Sequence, residues 1–151
     1  MKKIIIAVAL ILATTVSAHA KNSICIVPPE GAPPAIGTYC PAVLDNSGYL
    51  TTSLFVPLDA SGKLVGGGFE AQARRLIEIM DLYLVAVDMT ADDIQSVTVV
   101  VKDLANFPVF NRVYTEYFQA KEITTLPVRR PWGAIPPAGA DVALFFEAKN
   151  Q

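Results

Sequence analysis

Histidine is nearly absent from this 151-residue chain, and the single one is His19. His19 lies in an N-terminal segment with the features of a removable leader, so we expect the remaining domain to contain no imidazole. Catalysis by a histidine base, a Ser-His pair or a histidine-bound metal is therefore excluded for that domain. We expect it to use neither a metal nor another cofactor.

Long apolar runs are also scarce, and the longest follows Lys2 and Lys3 at residues 4–16, interrupted only by Thr14 and Thr15. The small residues of Ser17–Ala20 come next, and this order predicts a signal peptide over residues 1–20. An uncleaved anchor is the weaker alternative, because about thirteen apolar residues form a helix too short to cross a bilayer of about 30 Å. We expect residues 21–151 to form a single exported domain, most simply in the periplasm, with no membrane attachment.

Positive charge is in short supply once the leader is removed. Without Lys2 and Lys3, ten basic residues remain against fourteen acidic ones, which gives a net charge of about −4. Proteins that bind nucleic acid need a basic stripe along the phosphates. Here the adjacent basic pairs are only Arg74-Arg75 and Arg129-Arg130, so we expect no nucleic-acid partner.

The chain has only two cysteines, Cys25 and Cys40. Export to an oxidising compartment would permit a disulfide between them, and two buried free thiols fit the sequence equally well. A catalytic thiol is not expected, because no histidine is present to activate it.

The hydrophobic pattern predicts an α+β fold with one mostly antiparallel sheet covered by two helices. The helices are amphipathic, and the aromatic stripe of the second is interpreted as core. The Gly66–Gly68 run is interpreted as a flexible connection rather than a phosphate loop. The predicted elements are strands at Tyr39–Leu44, Tyr49–Val56, Ile94–Lys102, Pro127–Trp132 and Val142–Phe146, and helices at Phe69–Val87 and Phe107–Phe118.

Several motifs occur together in a characteristic order. They are Ala-Pro-Pro-Ala-Ile-Gly-Thr-Tyr at residues 32–39, Gln72-Ala-Arg74, Asn111-Arg-Val-Tyr114 and Pro127-Val-Arg129. In these motifs residues 25–148 resemble the Rid (reactive intermediate deaminase) family, formerly called YjgF. The resemblance implies a chorismate-mutase-like fold and a homotrimer with small-molecule clefts between its subunits. It also implies hydrolysis of short-lived enamines and imines to 2-keto acids and ammonia, as in 2-iminobutanoate/2-iminopropanoate deaminases. Some members were named endoribonucleases, and the acidic charge argues against that activity here.

The resemblance assigns roles to four residues. Arg129 matches the arginine that grips the substrate carboxylate, a task suited to the planar, permanently charged guanidinium. Tyr39 matches a tyrosine that would close the pocket and donate a hydrogen bond, and Ser53 retains a hydroxyl beside the substrate. Asn111 would contact the ligand or hold a loop. Alternation along a strand places the side chain of Arg130 on the opposite sheet face.

The last strand departs from the family pattern. Active deaminases carry a Val-Glu-Ile-Glu-Ala block whose first glutamate is credited with positioning water, and here Phe145 occupies that position. Glu147 matches the second glutamate, but it lies about 7 Å further along the strand and cannot simply replace the first. Leu54-Phe55 likewise replaces a Gly-Gln pair. Phe55 and Phe145 either make the cleft apolar or belong to the packed core.

Two functions therefore remain open. The first is a deaminase-like hydrolase acting on imines of small amino acids. The second is a non-catalytic protein that binds small carboxylates, or a trimeric interaction protein, which has lost the deaminase acid.

Overall fold

A six-stranded sheet and two helices form the structure, a computed structural model that describes residues 22–150. The predicted signal peptide lies outside the described residues. The elements are β1 (Ile24–Ile26), β2 (Ala42–Leu44), β3 (Tyr49–Thr52), α1 (Gly68–Val85), β4 (Ile94–Val101), α2 (Phe107–Ala120), β5 (Val128–Gly133) and β6 (Val142–Lys149).

The strands are arranged in the order β1-β2-β3-β6-β4-β5. Every neighbouring pair is antiparallel except β4 and β5, which are parallel and connected through α2. A parallel pair needs such a crossover, because a tight turn cannot return the chain to the same end of the sheet. The prediction of a mostly antiparallel sheet with two helices is confirmed.

The two faces of the sheet have different surroundings. On β4, Val97, Val99 and Val101 are fully buried in one core with the helices. The alternate residue Thr98 faces the other side, where its register partners are Phe145 and Arg130. In the described part of the chain, no helix covers that second face. The buried helix residues of the core include Leu76, Ile79, Met80, Tyr83 and Leu84 of α1 and Phe110, Val113, Tyr114 and Phe118 of α2.

Two predicted strands are shorter in the structure than expected. The strand predicted from Tyr39 begins only at Ala42, and the strand predicted to reach Val56 ends at Thr52. Pro41 explains both ends, since it lacks the N–H needed to continue the β2–β3 ladder beyond Ala42 and Thr52. The backbone N–H of Ser53 still donates to the Pro41 carbonyl at 2.8 Å. Tyr39 therefore lies in the loop before β2, and Ser53 follows β3.

The helices agree with prediction within two residues. α1 begins at Gly68 and ends at Val85, and α2 carries Pro108 in its first turn, where the missing N–H costs nothing. Gly67 precedes α1 with φ 92°, a left-handed conformation that glycine adopts without strain. None of the helices in residues 22–150 is long and apolar enough to cross a membrane.

Cys25 and Cys40 are joined by a disulfide, with their Cα atoms 5.5 Å apart. Cys25 lies in β1, where it is paired with Val43 of β2, and Cys40 lies two residues before β2. The bridge therefore ties the loop that contains Tyr39 to the first strand of the sheet.

Candidate functional site

Arg129 lies on β5, which is an edge strand of the sheet, and its side chain extends over two aromatic rings of α2. The guanidinium carbon is 5.2 Å from the ring centroid of Phe107 and 5.2 Å from that of Tyr114. Both distances are within the range of cation–π attraction, which orients a guanidinium without using its hydrogen-bond donors. The rings therefore fix the position of Arg129 and leave its donors available.

Among the described residues, Arg129 differs from the other arginines in having no acidic partner. The chain has five arginines, and Arg74, Arg75, Arg112 and Arg130 each form an ion pair with a glutamate. Within residues 22–150, no ion pair or hydrogen bond engages the Arg129 guanidinium. A half-buried cation with free donors is suited to binding an anion from outside the chain.

The same face of α2 carries two buried polar atoms without partners. Phe107, Asn111 and Tyr114 are spaced i, i+4 and i+7 and share one side of the helix. The amide Oδ1 of Asn111 and the hydroxyl of Tyr114 are buried and form no hydrogen bond in the described structure. Leaving such an atom unpaired costs about 1–3 kcal/mol, so a ligand or water that reached it would be bound favourably.

Burial also affects the ionisation of Tyr114. It raises the pKa of Tyr114 to about 12, and the nearby positive charge of Arg129 partly opposes this shift. The phenol is therefore neutral over the physiological range and acts as a hydrogen-bonding group beside the cation.

Tyr39 and Ser53 line a separate cleft, which we call the Tyr39 cleft. Tyr39 is 46% exposed, and its hydroxyl oxygen accepts a hydrogen bond from the backbone N–H of Ile36 at 3.4 Å. That contact leaves the phenolic O–H free to donate to a ligand. The hydroxyl of Ser53 is buried and forms no hydrogen bond with any described residue. The residues that line the cleft are Pro33, Pro34, Ala35, Ile36, Tyr39, Pro41, Ser53, Leu54, Phe55, Val56, Leu58 and Tyr83.

Phe55 lines the Tyr39 cleft and also belongs to the core. It is buried, and its ring centroid lies 4.6 Å from that of Tyr83 and 6.1 Å from that of Phe146. Its backbone forms an isolated bridge with Leu144 of β6. Phe55 thus lines the cleft and also packs in the core. The sequence had offered these two roles as alternatives.

The four predicted site residues form two groups within one chain. Arg129 and Asn111 lie with β5 and α2, whereas Tyr39 and Ser53 flank β2 and β3. Because β6 and β4 lie between β3 and β5, three strand spacings of about 4.8 Å separate the backbones of β3 and β5 by roughly 14 Å. Neither Arg129 nor Asn111 lines the Tyr39 cleft of the same chain.

Arg130, which follows Arg129 in β5, lies on the sheet face without helices. Arg130 Nη1 donates to the hydroxyl of Ser96 at 2.8 Å and lies 3.7 Å from the Glu147 carboxylate. Ser96 in turn donates to Glu147 at 2.6 Å. The predicted placement of Arg130 opposite Arg129 is confirmed, and Glu147 is engaged in this network.

Phe145 shares that face with Glu147. Its ring packs edge-on against Trp132 of β5, with centroids 6.3 Å apart and planes at 74°. An aromatic pair therefore occupies the position of the first glutamate in the family pattern, and Phe145 brings no acid–base group to it.

Sequence reasoning missed the part played by Phe107 and Tyr114. It interpreted both as core, whereas the structure also places them beneath the Arg129 guanidinium. The available signal was their i, i+7 spacing around Asn111 on the helix that leads into β5. No group of three or more metal-ligating side chains occurs in residues 22–150.

Comparison with known proteins identifies the family. The family model described as Endoribonuclease L-PSP matches residues 29–134. The chain belongs to this family, also called Rid or YjgF. A RutC family protein of Pyrococcus horikoshii is 33% identical, with 65% of this chain and 83% of that protein covered. A 2-iminobutanoate/2-iminopropanoate deaminase of Salmonella typhimurium is 35% identical over 66% of this chain and 77% of the enzyme.

A solved structure of a Rid-type protein supports the same assignment. Escherichia coli TdcF with bound serine superposes with a TM-score of 0.76 and 26% sequence identity. The match covers 83% of this chain and 98% of TdcF. The Rid-type fold expected from the sequence is therefore confirmed.

Proposed function

We propose that Arg129 binds the carboxylate of a small imino, keto or amino acid in a pocket between two chains. The observation that carries this proposal is the free guanidinium of Arg129, held over Phe107 and Tyr114 while each of the other four arginines is paired. A guanidinium fork donates two parallel hydrogen bonds to a carboxylate. The bound serine of TdcF, which carries such a carboxylate, supports the proposed class of ligand.

The partner that completes the pocket is a second copy of the chain in a homotrimer. Arg129 extends over α2 and does not line the Tyr39 cleft of its own chain, so in this proposal a neighbouring copy supplies Tyr39 and Ser53. The sheet face without helices carries Val128 and Trp132, which are 59% and 56% exposed, and burying such side chains favours association. No nucleic acid or membrane partner is part of the proposal.

The reaction that fits this site is hydrolysis of an imine or enamine to a 2-keto acid and ammonia. An enamine first becomes the imine by gaining a proton at carbon and losing one from nitrogen. Water then adds to the imine carbon and the nitrogen takes up a proton, giving a carbinolamine. The hydroxyl proton passes to the nitrogen as the C–N bond breaks, which leaves the keto group and releases ammonia. In this scheme Arg129 holds the carboxylate, and the hydroxyls of Tyr39 and Ser53 orient the substrate. Names of relatives, such as the Salmonella deaminase, support the reaction class.

Phe145 favours a second candidate, a carboxylate-binding or trimeric interaction protein without turnover. General acid–base assistance contributes a factor of roughly 10²–10⁴ to a rate, and the Phe145–Trp132 pair has no group that can provide it. Binding through Arg129 does not depend on that assistance. We therefore expect the protein to bind a small carboxylate even if its turnover is slow or absent.

Titration calorimetry with 2-ketobutyrate tests the binding proposal. The matched variants are Arg129→Ala and Arg130→Ala, which remove the same group from adjacent residues on opposite faces of β5. We expect Arg129→Ala to weaken binding by roughly 10–100-fold and Arg130→Ala to change it less than threefold. Equal losses in both variants would contradict the assignment.

An assay with freshly generated 2-aminoacrylate separates the two candidates. If the wild-type protein accelerates ammonia release and Arg129→Ala does not, the result supports the hydrolase function. Saturable binding that depends on Arg129, without acceleration, supports the binding protein. If neither occurs, the trimeric interaction protein is the candidate that remains.

Export is also a proposal. We propose that residues 1–20 are removed as a signal peptide and that the domain works in the periplasm. Mass spectrometry of the protein recovered from a periplasmic extract should give an N terminus at Lys21. Recovery of a chain that begins at Met1 from the cytoplasmic fraction would contradict it.

A further inference from the structure

The Cys25–Cys40 disulfide closes a loop that forms one wall of the Tyr39 cleft. Cys40 directly follows Tyr39, and Cys25 lies in β1. The segment between them contributes nearly half of the residues that line the cleft, namely Pro33, Pro34, Ala35, Ile36 and Tyr39. The covalent link therefore bears directly on the shape of a candidate ligand site.

The first half of this loop is anchored independently of the disulfide. The Arg75 side chain, only 12% exposed, donates to the carbonyl of Gly31 at 2.6 Å and to that of Leu58 at 2.8 Å. Ala32 is buried in the core, and its N–H donates to the Pro29 carbonyl. These contacts hold residues 29–32 against α1 whether or not the cysteines are joined.

The second half of the loop lacks such anchors. Residues 34–40 are all exposed and belong to no helix or strand. The one hydrogen bond in this segment is internal, from the N–H of Ile36 to the Tyr39 hydroxyl at 3.4 Å. The next tie to the sheet comes at Pro41, whose carbonyl accepts from Ser53. Before that point, the disulfide at Cys40 is the attachment that restrains Tyr39.

We infer that the Cys25–Cys40 disulfide is a positioning element for Tyr39, so that affinity for the carboxylate ligand depends on the bridge in a protein that remains folded. This inference rests on the proposed function. Ordering a free loop on binding costs entropy, and a covalent closure removes much of that cost beforehand. Both cysteines are exposed, Cys25 in β1 and Cys40 in the loop before β2, so opening the bridge leaves the buried contacts between the helices and the central strands in place.

The test compares 2-ketobutyrate binding by calorimetry in the wild type and the Cys25→Ser/Cys40→Ser variant. We expect the double serine variant to bind about tenfold more weakly, with an unchanged far-UV circular dichroism spectrum. Reduced wild-type protein, freed of reductant and kept under nitrogen, provides a second measurement without mutation. Its affinity should fall by the same factor and return on reoxidation.

A double-mutant cycle with Tyr39→Phe distinguishes positioning of Tyr39 from a general loss of stability. If the bridge acts through the Tyr39 hydroxyl, removing the cysteines from the Tyr39→Phe protein should change affinity by less than about twofold. An undiminished tenfold loss in that background would overturn the inference, because the bridge would then act elsewhere.

The remaining outcomes are also distinguishable. Binding that depends on Arg129 but is identical with and without the bridge overturns the inference and leaves the proposed function standing. Absence of any saturable binding by the oxidised wild-type protein overturns the proposed function, and the inference with it.

Discussion

Arg129 and Arg130 are neighbours in β5, but their guanidinium groups lie on opposite faces of the sheet and in opposite electrostatic situations. Arg130 donates to Ser96 and pairs with Glu147. Arg129 lies over Phe107 and Tyr114, and its donors are unused within residues 22–150. One residue thus completes a network within the chain, and the other is available to a ligand. The contrast makes Arg130 an internal control for every experiment on Arg129.

Phe145→Glu tests whether the aromatic residue limits turnover. The change places a carboxylate at the position of the first glutamate in the family pattern, on the sheet face opposite Arg129 of the same chain. In the proposed trimer a neighbouring copy presents this face to the ligand on Arg129, and we expect the rate of 2-aminoacrylate hydrolysis to rise by roughly 10²-fold or more. The control is Phe145→Gln. The glutamine side chain has nearly the same shape as glutamate and, like it, removes the aromatic contact with Trp132, but it cannot act as an acid or a base. Stopped-flow measurement of ammonia release should show the gain only in Phe145→Glu. Equal rates in the two variants would show that acid–base chemistry at this position is not limiting.

Glu70 links the two helices and should make stability depend on acid pH. Hydrogen bonds from Arg112 and Arg74 lower the pKa of Glu70 from 4.5 to about 2. A carboxylate with a lowered pKa in the folded state stabilises the protein above its unfolded pKa and loses that effect as the pH falls through the folded value. We therefore expect the melting temperature of wild type to exceed that of Glu70→Gln above pH 4.5, and the difference to shrink steadily towards pH 2.

Differential scanning calorimetry of both proteins at several pH values measures this difference. High salt should reduce it, because these side chains are at the surface and their charges are screened. A difference that stays constant from pH 5 to about pH 2 would contradict the assigned role of the Glu70 carboxylate.

The disulfide should also contribute to global stability. Closing a loop between residues fifteen positions apart removes unfolded-state entropy worth about 3 kcal/mol. We expect Cys25→Ser/Cys40→Ser to lose about this much unfolding free energy in guanidinium titrations. Reduced wild-type protein should show the same loss. A variant as stable as oxidised wild type would show that the bridge does not constrain the unfolded chain.

A structural feature could be predicted from the sequence when it depends on residues that are close together in the chain. Alternation along β5 is local, so it correctly placed Arg129 and Arg130 on opposite faces. The amphipathic periods of α1 and α2 are local too, and both helices agree within two residues. These features depend on neighbours in the chain and could be predicted from it.

Features that depend on distant pairing were less predictable. The early ends of β2 and β3 require knowing that Pro41 faces Ser53 across the ladder. The position of Arg129 over the aromatic rings depends on the parallel register of β4 and β5, with Val97 opposite Arg129. No local pattern in the sequence encodes either register, so these parts of the candidate site became visible only in the folded chain.

The central claim is that Arg129 of one chain and Tyr39 of another bind the same carboxylate. A crystal structure of the protein grown with 2-ketobutyrate tests it most directly. We predict a trimer with the ligand carboxylate on the Arg129 guanidinium and a ligand oxygen within hydrogen-bond distance of the Tyr39 hydroxyl from the neighbouring copy. A monomer, or a trimer in which the ligand lies away from Arg129, would contradict the account.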